Sequence, residues 1–371
     1  MNFEHDEITE QIAQRAREYA RQSLVSRAAE FEANEDIPAE VFTELGARGL
    51  MSVCNPAELG GSGASTSAYA RAMMEIGEGC ASTAVTMAVT NMVGEVIAAF
   101  GSDAQKARHC PRLAKGGLGA FALSEVGAGS DPGGMRTTAV LDGDEWVING
   151  DKQWISHGDR ASSVIIWART DGDGSRGLSC FLVEPGAAGF SVGKHEDKMG
   201  LRASHTVGLV FDDLRVPSDA LLGPRGGGFR IAMMALDGGR IGVASQALGI
   251  AESAFSEARE FLKAKGSPDQ GALWRIADMR TRLDAARLLI LNAAHLKQSK
   301  QAFSQEASIA KAFATECAWK VCNEAVDLMG DAALARGNRA ERALRDSRVT
   351  MIYEGTSEVQ RVVISRGALS A

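Results

Sequence analysis

The sequence predicts a mainly α-helical protein interrupted by a β insert: helices, then a small β domain, then a helix bundle. Two patterns carry this. Apolar residues recur at helical spacing before about residue 115 and again from Gly226 onward, whereas residues 120 to 220 hold turn dipeptides between short β-rich runs. A length of 371 residues suffices for two or three domains, each with its own core, and the expected borders are 1–118, 119–225 and 226–371.

At the N-terminal end, Ile8, Ile12 and Tyr19, with alanines between them, give the first helical stripe. Asp36-Ile37-Pro38 starts another helix, since proline suits a first turn, and Val41, Phe42 and Leu45 follow as its apolar face. Asn55 to Ser65 reads as a Gly-rich loop. Ser82 to Ala99 is apolar and helical, closed by Gly101, with Ser102 or Asp103 capping the next short helix. In the β insert, Asp142-Gly143 and Asn149-Gly150 are hairpin signals around Trp146-Val147-Ile148. Val164–Arg169 and Leu178–Glu184 read as strands flanking Asp171-Gly172-Asp173-Gly174. That loop opens like a calcium loop but carries Leu182 where the twelfth-position glutamate belongs, which excludes calcium. Thr206–Phe211 is a further strand, and Arg215-Val216-Pro217 ends the block. Beyond it, Ile276, Met279, Leu283, Ala286, Ile290 and Ala293 alternate steps of three and four, a seam for antiparallel helix packing. Ile309, Phe313, Cys317, Val321 and Ala325 form a second stripe, and core packing explains both.

Composition removes several classes. Lysine and arginine total 40 against 47 aspartates and glutamates, a net charge of −7, and no basic block stands out, so a nucleic-acid partner is not expected. The acidic opening Met1-Asn2-Phe3-Glu4-His5-Asp6-Glu7 has neither signal-peptide nor Arg-rich transit character, and no apolar run reads as long enough to span a membrane. The expected location is cytoplasmic. Six cysteines lie scattered without a C-x-x-C pair, as buried thiols do in a reducing compartment, and six histidines show no ligand spacing; no metal site is expected.

Four stretches carry chemistry. The first is Met351-Ile352-Tyr353-Glu354-Gly355-Thr356-Ser357-Glu358-Val359-Gln360-Arg361. Arg339 to Thr350 reads as a helix, with Asn338 and Glu341 spaced as a capping box, and Ser357 and Gln360 are spaced to cap a second one. Glu354 and Gly355 fall at the break, where backbone N–H groups are uncommitted and a carboxylate serves either as a general base or as a solvated loop residue. The second is Phe121-Ala122-Leu123-Ser124-Glu125-Val126-Gly127-Ala128-Gly129-Ser130-Asp131. Its glycines permit close backbone approach and its hydroxyls suit a planar polar ring or a phosphate, although it is not the G-x-G-x-x-G dinucleotide fingerprint. Third, Trp154-Ile155-Ser156 sets a large flat face beside a hydroxyl, or a core tryptophan. Fourth, Asp237-Gly238-Gly239-Arg240 places two glycines inside a helical pattern at a cost of roughly 2 kcal/mol against alanine. Tight packing or room for a ligand offsets that cost. Arg240 is either a phosphate or amide clamp or a salt-bridge partner.

Together these stretches resemble the acyl-CoA dehydrogenase family along nearly the whole chain. ALSEVGAGSD (122–131), NGDKQWISHG (149–158), EDKMGLRASHTVGLVFDDLRVP (196–217), LDGGRIGVASQALGIA (236–251) and ERALRDSRVTMIYEGTSEVQR (341–361) stand in the family's order at about its spacing, and the 237–251 stretch is most similar to the short-chain acyl-CoA dehydrogenases. The resemblance implies an N-terminal helical domain, a β-barrel-like middle domain and a C-terminal four-helix bundle, with FAD held between the last two. It implies that Phe121, Leu123, Ser124, Ser130, Trp154, Ile155, Ser156, Thr356 and Glu358 hold the cofactor. Ser130, Asp237, Arg240 and Gly355 would contact the substrate. Glu354 would be the base that removes the α-proton of an acyl-CoA thioester. The β-hydrogen would leave as hydride to flavin N5, giving the trans-2-enoyl thioester of β-oxidation. The carbonyl oxygen would be stabilised by the base residue's own N–H and a ribityl hydroxyl. Burial would raise the carboxylate's pKa toward the value the task needs. Relatives that place the base on the earlier bundle helix do so where this chain has Gly239. The implied partners are an acyl-CoA, an electron-transferring flavoprotein and further copies of the chain in a dimer or tetramer, with a hetero-oligomer as the alternative.

Two stretches depart from the family pattern. Phe261-Leu262-Lys263-Ala264-Lys265-Gly266-Ser267-Pro268-Asp269-Gln270-Gly271 is shorter than the family's R-x-x-F-G and glutamine-containing stretch, leaving Lys265 as a substitute cation. Asp327-Leu328-Met329-Gly330-Asp331-Ala332-Ala333-Leu334 replaces Q-x-x-G-G-x-G-Y and brings Asp327 and Asp331 toward the neighbour's FAD pyrophosphate. Both touch the same end of the implied cofactor site. They frame the alternative reading, a weakly catalytic partner subunit of a heteromeric complex.

Overall fold

The computed structural model describes residues 7–370, so the acidic opening Met1–Asp6 lies outside the described residues. The first part is helical: α1 (Glu7–Tyr19), α2 (Val25–Asn34), α3 (Ala39–Ala47), α4 (Thr66–Gly79), α5 (Ala81–Phe100) and α6 (Asp103–Ala114). Pro38 is the N-cap of α3, and Ser102 caps α6 in a complete capping box with Gln105. Ile12 and Tyr19 enter the core as the stripe requires, but Ile8 is 49% exposed and belongs to the outer face.

The reading that no apolar run reaches transmembrane length is corrected by α5, which is long and apolar enough to cross a membrane with a mean hydropathy of 1.4. Two-thirds of that window is buried inside the protein, as in the central helix of a folded core. Asn91 ties it in. Its side-chain amide donates to the Leu50 and Met87 carbonyls, and its oxygen accepts the Val53 N–H.

The strands are β1 (Gly119–Ala122), β2 (Thr138–Asp142), β3 (Glu145–Ser156), β4 (Ser163–Arg169), β5 (Leu178–Val183), β6 (Phe190–His195) and β7 (Thr206–Pro217). They form one curled sheet of order β1-β4-β2-β3-β7-β6, with β5 pairing β4 to the side. The β1–β4 pair and the single β2–β4 contact are parallel and the rest antiparallel. Asp142-Gly143 makes the expected hairpin between β2 and β3. Asn149-Gly150 does not: it lies inside β3 at a shift of register against β7. Gly150 is there for space as well as conformation, since its φ is 143° and a Cβ would come within 2.6 Å of the Thr137 hydroxyl.

The last part holds α7 (Gly228–Lys265), α8 (Gln270–Gln298), α9 (Ser304–Met329), the short α10 (Asp331–Leu334), α11 (Arg339–Thr350) and α12 (Ser357–Ser370). The α8 seam is buried from Met279 to Ala293, with Ile276 at its margin. On α9 the buried face is rotated from the expected stripe. Ala307, Ala310, Ala314 and Ala318 pack inward with Cys317 and Val321, while Phe313 is 38% exposed. Small side chains let α9 lie close against α7, which a count of large apolar residues does not reveal. Three of the four hydrophobic cores take residues from α5, and two of those three also take residues from the N-terminal half of α7; the functional groups collect there.

Candidate active site

The break after α11 is a true corner. Glu354 and Gly355 take φ values of 55° and 88°, and a left-handed glutamate of this kind costs roughly 1–3 kcal/mol. Neighbours hold it in place. The Gln360 side-chain amide donates to the Glu354 and Gly355 carbonyls at 3.1 and 2.9 Å, and the Lys311 ammonium donates to the Gly355 carbonyl at 2.7 Å. The cap of α12 differs by one residue from expectation: Thr356 accepts the Val359 N–H, and Ser357 is already helical. Asn338 caps α11 through the Ala340 and Glu341 N–H groups, but the carboxylate of Glu341 turns away to Arg345, so the capping box is one-sided. Among the described residues the N–H groups of Glu354, Gly355 and Thr356 find no partner.

Glu354 turns its carboxylate into the protein. Burial pushes its pKa up to about 7, against the lowering pull of the Arg240 and Lys311 cations. One oxygen, Oε2, is buried without a hydrogen bond. The space it uses is opened by Gly239 on α7, where a Cβ would stand 2.7 Å from Oε2 and 3.2 Å from the Met92 sulfur. Glu354 and a side chain at 239 thus compete for one volume. Gly239→Ala is therefore expected to lower kcat at least tenfold by displacing the carboxylate. Helix propensity alone would add up to about 1 kcal/mol of stability. Steady-state turnover read beside a melting curve checks both, and unchanged kcat would place the base elsewhere.

Around this corner lies a cavity of about 780 Å³. Phe121 lines it from β1, Leu123, Ser124 and Ser130 from the loop that follows, Trp154 and Ser156 from the end of β3, Arg240 from α7, and Glu354, Gly355 and Thr356 from the corner. The loop is pinned to β3, because the Gln153 N–H donates to the Ser124 carbonyl at 2.9 Å. Below it, the fully buried Lys152 ammonium donates to the Leu123 carbonyl at 3.1 Å and to Glu125 at 2.8 Å. Burial alone would raise the Glu125 pKa, but Lys152, the Thr137 hydroxyl and the Arg136 N–H bring it below the ordinary carboxylate value. Trp154 has φ of 60° and stands 52% exposed on the cavity wall, where it offers a large flat face.

Three named residues lie off the cavity. Ile155 points to the opposite face of β3 and is buried in the sheet core. Asp237 pairs with Arg240 at 2.6 Å and accepts from Ser304. Glu358 is exposed on α12. Arg240 is therefore a salt-bridge partner, yet it also lines the cavity and its buried Nε has no partner. Lys311 and Met92 went unnoticed in the sequence. A lysine set among α9's buried alanines was the available signal for the first, and Met92 had none.

Elsewhere, Asp159, His195 and His205 bring ligand atoms within 4.8 Å of one another. The Arg160 guanidinium donates to His205 Nε2 at 3.0 Å and lies 4.0 Å from Asp159, so a cation already fills the electrostatic place of a metal. At the altered stretches, the Lys265 ammonium sits over the Phe261 ring, and Asp327 lies 3.7 Å from Arg275.

Comparison with known proteins agrees with this geometry. Models of the acyl-CoA dehydrogenase N-terminal, middle and C-terminal domains match residues 6–117, 120–214 and 226–369. The mitochondrial short-chain specific acyl-CoA dehydrogenase of Bos taurus is 43% identical, over 98% of this chain and 90% of its own. Butyryl-CoA dehydrogenase of Megasphaera elsdenii superposes with a TM-score of 0.96 at 37% identity, with full coverage of both chains. A chain from the structure of the electron transferring flavoprotein of Acidaminococcus fermentans does so at 0.98 and 38% identity, again over 100% of both chains. On three matched domains and full-length likeness, the chain belongs to the acyl-CoA dehydrogenase family, in its short-chain type, and is an oxidoreductase acting on the CH–CH group of acyl-CoA.

Proposed function

We propose that the protein dehydrogenates a short-chain acyl-CoA to the trans-2-enoyl-CoA with FAD as cofactor, and that Glu354 is the base. The observation that carries this is the Glu354 carboxylate itself, held in a strained corner with one buried oxygen unpartnered and its pKa near 7. A base poised near neutrality and freed of hydrogen bonds accepts a proton from a weakly acidic carbon at least cost. The N–H groups of the corner suit the thioester carbonyl, whose charge grows as the proton leaves.

The residues present fit a flavin. The exposed face of Trp154 takes a flat ring, and the Ser124, Ser156 and Thr356 hydroxyls around it suit the ring's polar edge. FAD, when bound, supplies the acceptor for the two electrons and the β-hydrogen. Lys152 and Glu125 fix the loop beneath that cradle. Arg240 and Lys311 keep the pKa of Glu354 from rising further, so that it is ionised in half of the molecules at about pH 7.

An electron-transferring flavoprotein is the proposed electron acceptor, in further copies of the chain or in a mixed assembly. The surface placement of Asp327, held by Arg275, favours a second reading in which the far end of FAD is weakly held and a different chain completes the site. Purification decides between them. A yellow homo-oligomer with one FAD per chain, bleached anaerobically by butyryl-CoA, supports the enzyme. A colourless protein that gains flavin only with a partner chain supports the second reading.

A further inference from the structure

Met92 of α5 lines the cavity close to Gly239 and Glu354. Its sulfur lies 3.2 Å from the point over Gly239 that is 2.7 Å from Glu354 Oε2, so an acyl chain whose α-carbon meets the base runs toward this side chain within its next few carbons. Met92 also lines a second, very small void of about 10 Å³, shared with Tyr69, Glu95 and Gly238. A void of that size holds one water at most. The methionine is therefore a partition with a large chamber on one side and almost no room on the other.

What stands behind the partition is charged. Glu95 on α5 and Lys297 at the end of α8 pair at 2.6 Å, both mostly shielded from solvent. A Cβ at Gly238 would stand 2.9 Å from the Lys297 nitrogen and 3.9 Å from the Glu95 carboxylate, so the pair presses on bare helix backbone beside the void. The cation keeps its proton readily, because Glu95 outweighs the burial that opposes it. An alkyl end pushed past Met92 would displace water from this pair and return no hydrogen bond.

Resting on the acyl-CoA reading above, we infer that Met92 is the stop that sets acyl-chain length, and that the Glu95–Lys297 pair behind it is a second, polar stop. Neither Met92, Glu95 nor Lys297 takes part in proton removal. Their effect is on how many methylenes the chain can bury.

Binding of S-butyl-, S-hexyl- and S-octyl-CoA to the FAD-loaded protein tests this by calorimetry. These thioethers lack the carbonyl that makes the α-proton acidic, so affinity is read without turnover. Wild-type protein should bind S-butyl-CoA best and S-hexyl-CoA at least tenfold more weakly. Met92→Ala should raise the hexyl-to-butyl affinity ratio about fifteenfold, the ~1.6 kcal/mol of two newly buried methylenes, and should still refuse S-octyl-CoA. Adding Glu95→Leu and Lys297→Leu together, so that no charge is left unpaired, should admit S-octyl-CoA.

A ratio that Met92→Ala leaves within twofold overturns the first stop, as does failure of the wild type to bind any alkyl-CoA. Tight S-octyl-CoA binding by Met92→Ala alone overturns the second. A parallel anaerobic assay with butyryl-CoA separates this inference from the function it rests on. An intact ladder without flavin bleaching sinks the dehydrogenase reading alone, whereas bleaching with a flat ladder sinks the chain-length stop alone.

Discussion

Glu354→Gln is expected to lower turnover by roughly 10³–10⁴, near the upper range for loss of a positioned base, while FAD stays bound. Glutamine fills the same volume beside Gly239 and keeps the corner, so only proton acceptance is lost. Rapid mixing with butyryl-CoA under anaerobic conditions reads the flavin directly, and more than a tenth of wild-type reduction would mean the base lies elsewhere. The pH dependence of the wild type should agree. Since the carboxylate must be ionised to act, kcat/KM should rise with pH and level off above about 7, following the raised pKa of Glu354.

The same shift predicts a gain in stability for the variant. The folded state holds Glu354 at a pKa of about 7 against an ordinary 4.5, so folding disfavours the ionised form. That penalty is absent below pH 4.5, grows as pH rises, and is complete above about 7. Glutamine never bears it. Glu354→Gln should therefore be the more stable protein at pH 8, by at most on the order of 3 kcal/mol, and no different near pH 4. Part of the gain is returned because Lys311, already depressed to about 8 by burial, loses the carboxylate that supports its charge. Melting curves at the two pH values check the sign.

Lys152→Met should cost the protein about 3–5 kcal/mol, the usual penalty for leaving one member of a buried ion pair without the other. Glu125 would keep three hydrogen bonds, from the Arg136 N–H and from the Thr137 N–H and hydroxyl, but would lose the only cation among them. The loop it anchors carries Leu123 and Ser124, so flavin affinity should fall along with the melting temperature. Adding Glu125→Gln to Lys152→Met should restore much of the stability, because the amide needs no counter-charge. If the single variant melts as the wild type does, the pair does not support the loop.

The order of helices, strands and helices was legible because its signals are local: periodicity in α8, the Asp142-Gly143 turn, the Ser102 cap. The errors arose where tertiary contacts overrule such signals. Asn149-Gly150 looks like a hairpin, but its glycine makes room for Thr137, the residue before β2. Glu341 is spaced for a box, but Arg345 one turn away offers its carboxylate a charge. In the site, Ser124, Trp154, Arg240 and Glu354 come from separate short motifs to line one cavity, but Asp237 and Glu358 from the same motifs lie off it, and Lys311 and Met92 reach the site from helices whose patterns read as plain core. Ile155 illustrates the opposite case. A motif names three successive residues, but a strand sends alternate side chains to opposite faces, so Trp154 and Ser156 meet the cavity and Ile155 does not.

Gly238 and Gly239 bear on how this protein can be engineered. Each is a glycine in the interior of a 38-residue helix, the kind of position any stabilisation scheme marks for alanine. At 239 the added methyl would crowd the Glu354 carboxylate out of its place, and at 238 it would push on Lys297, which stands behind Met92. A library screened for heat resistance alone would enrich both changes and deliver a sturdier protein with its chemistry removed. Selection for retained flavin bleaching should therefore accompany any such screen.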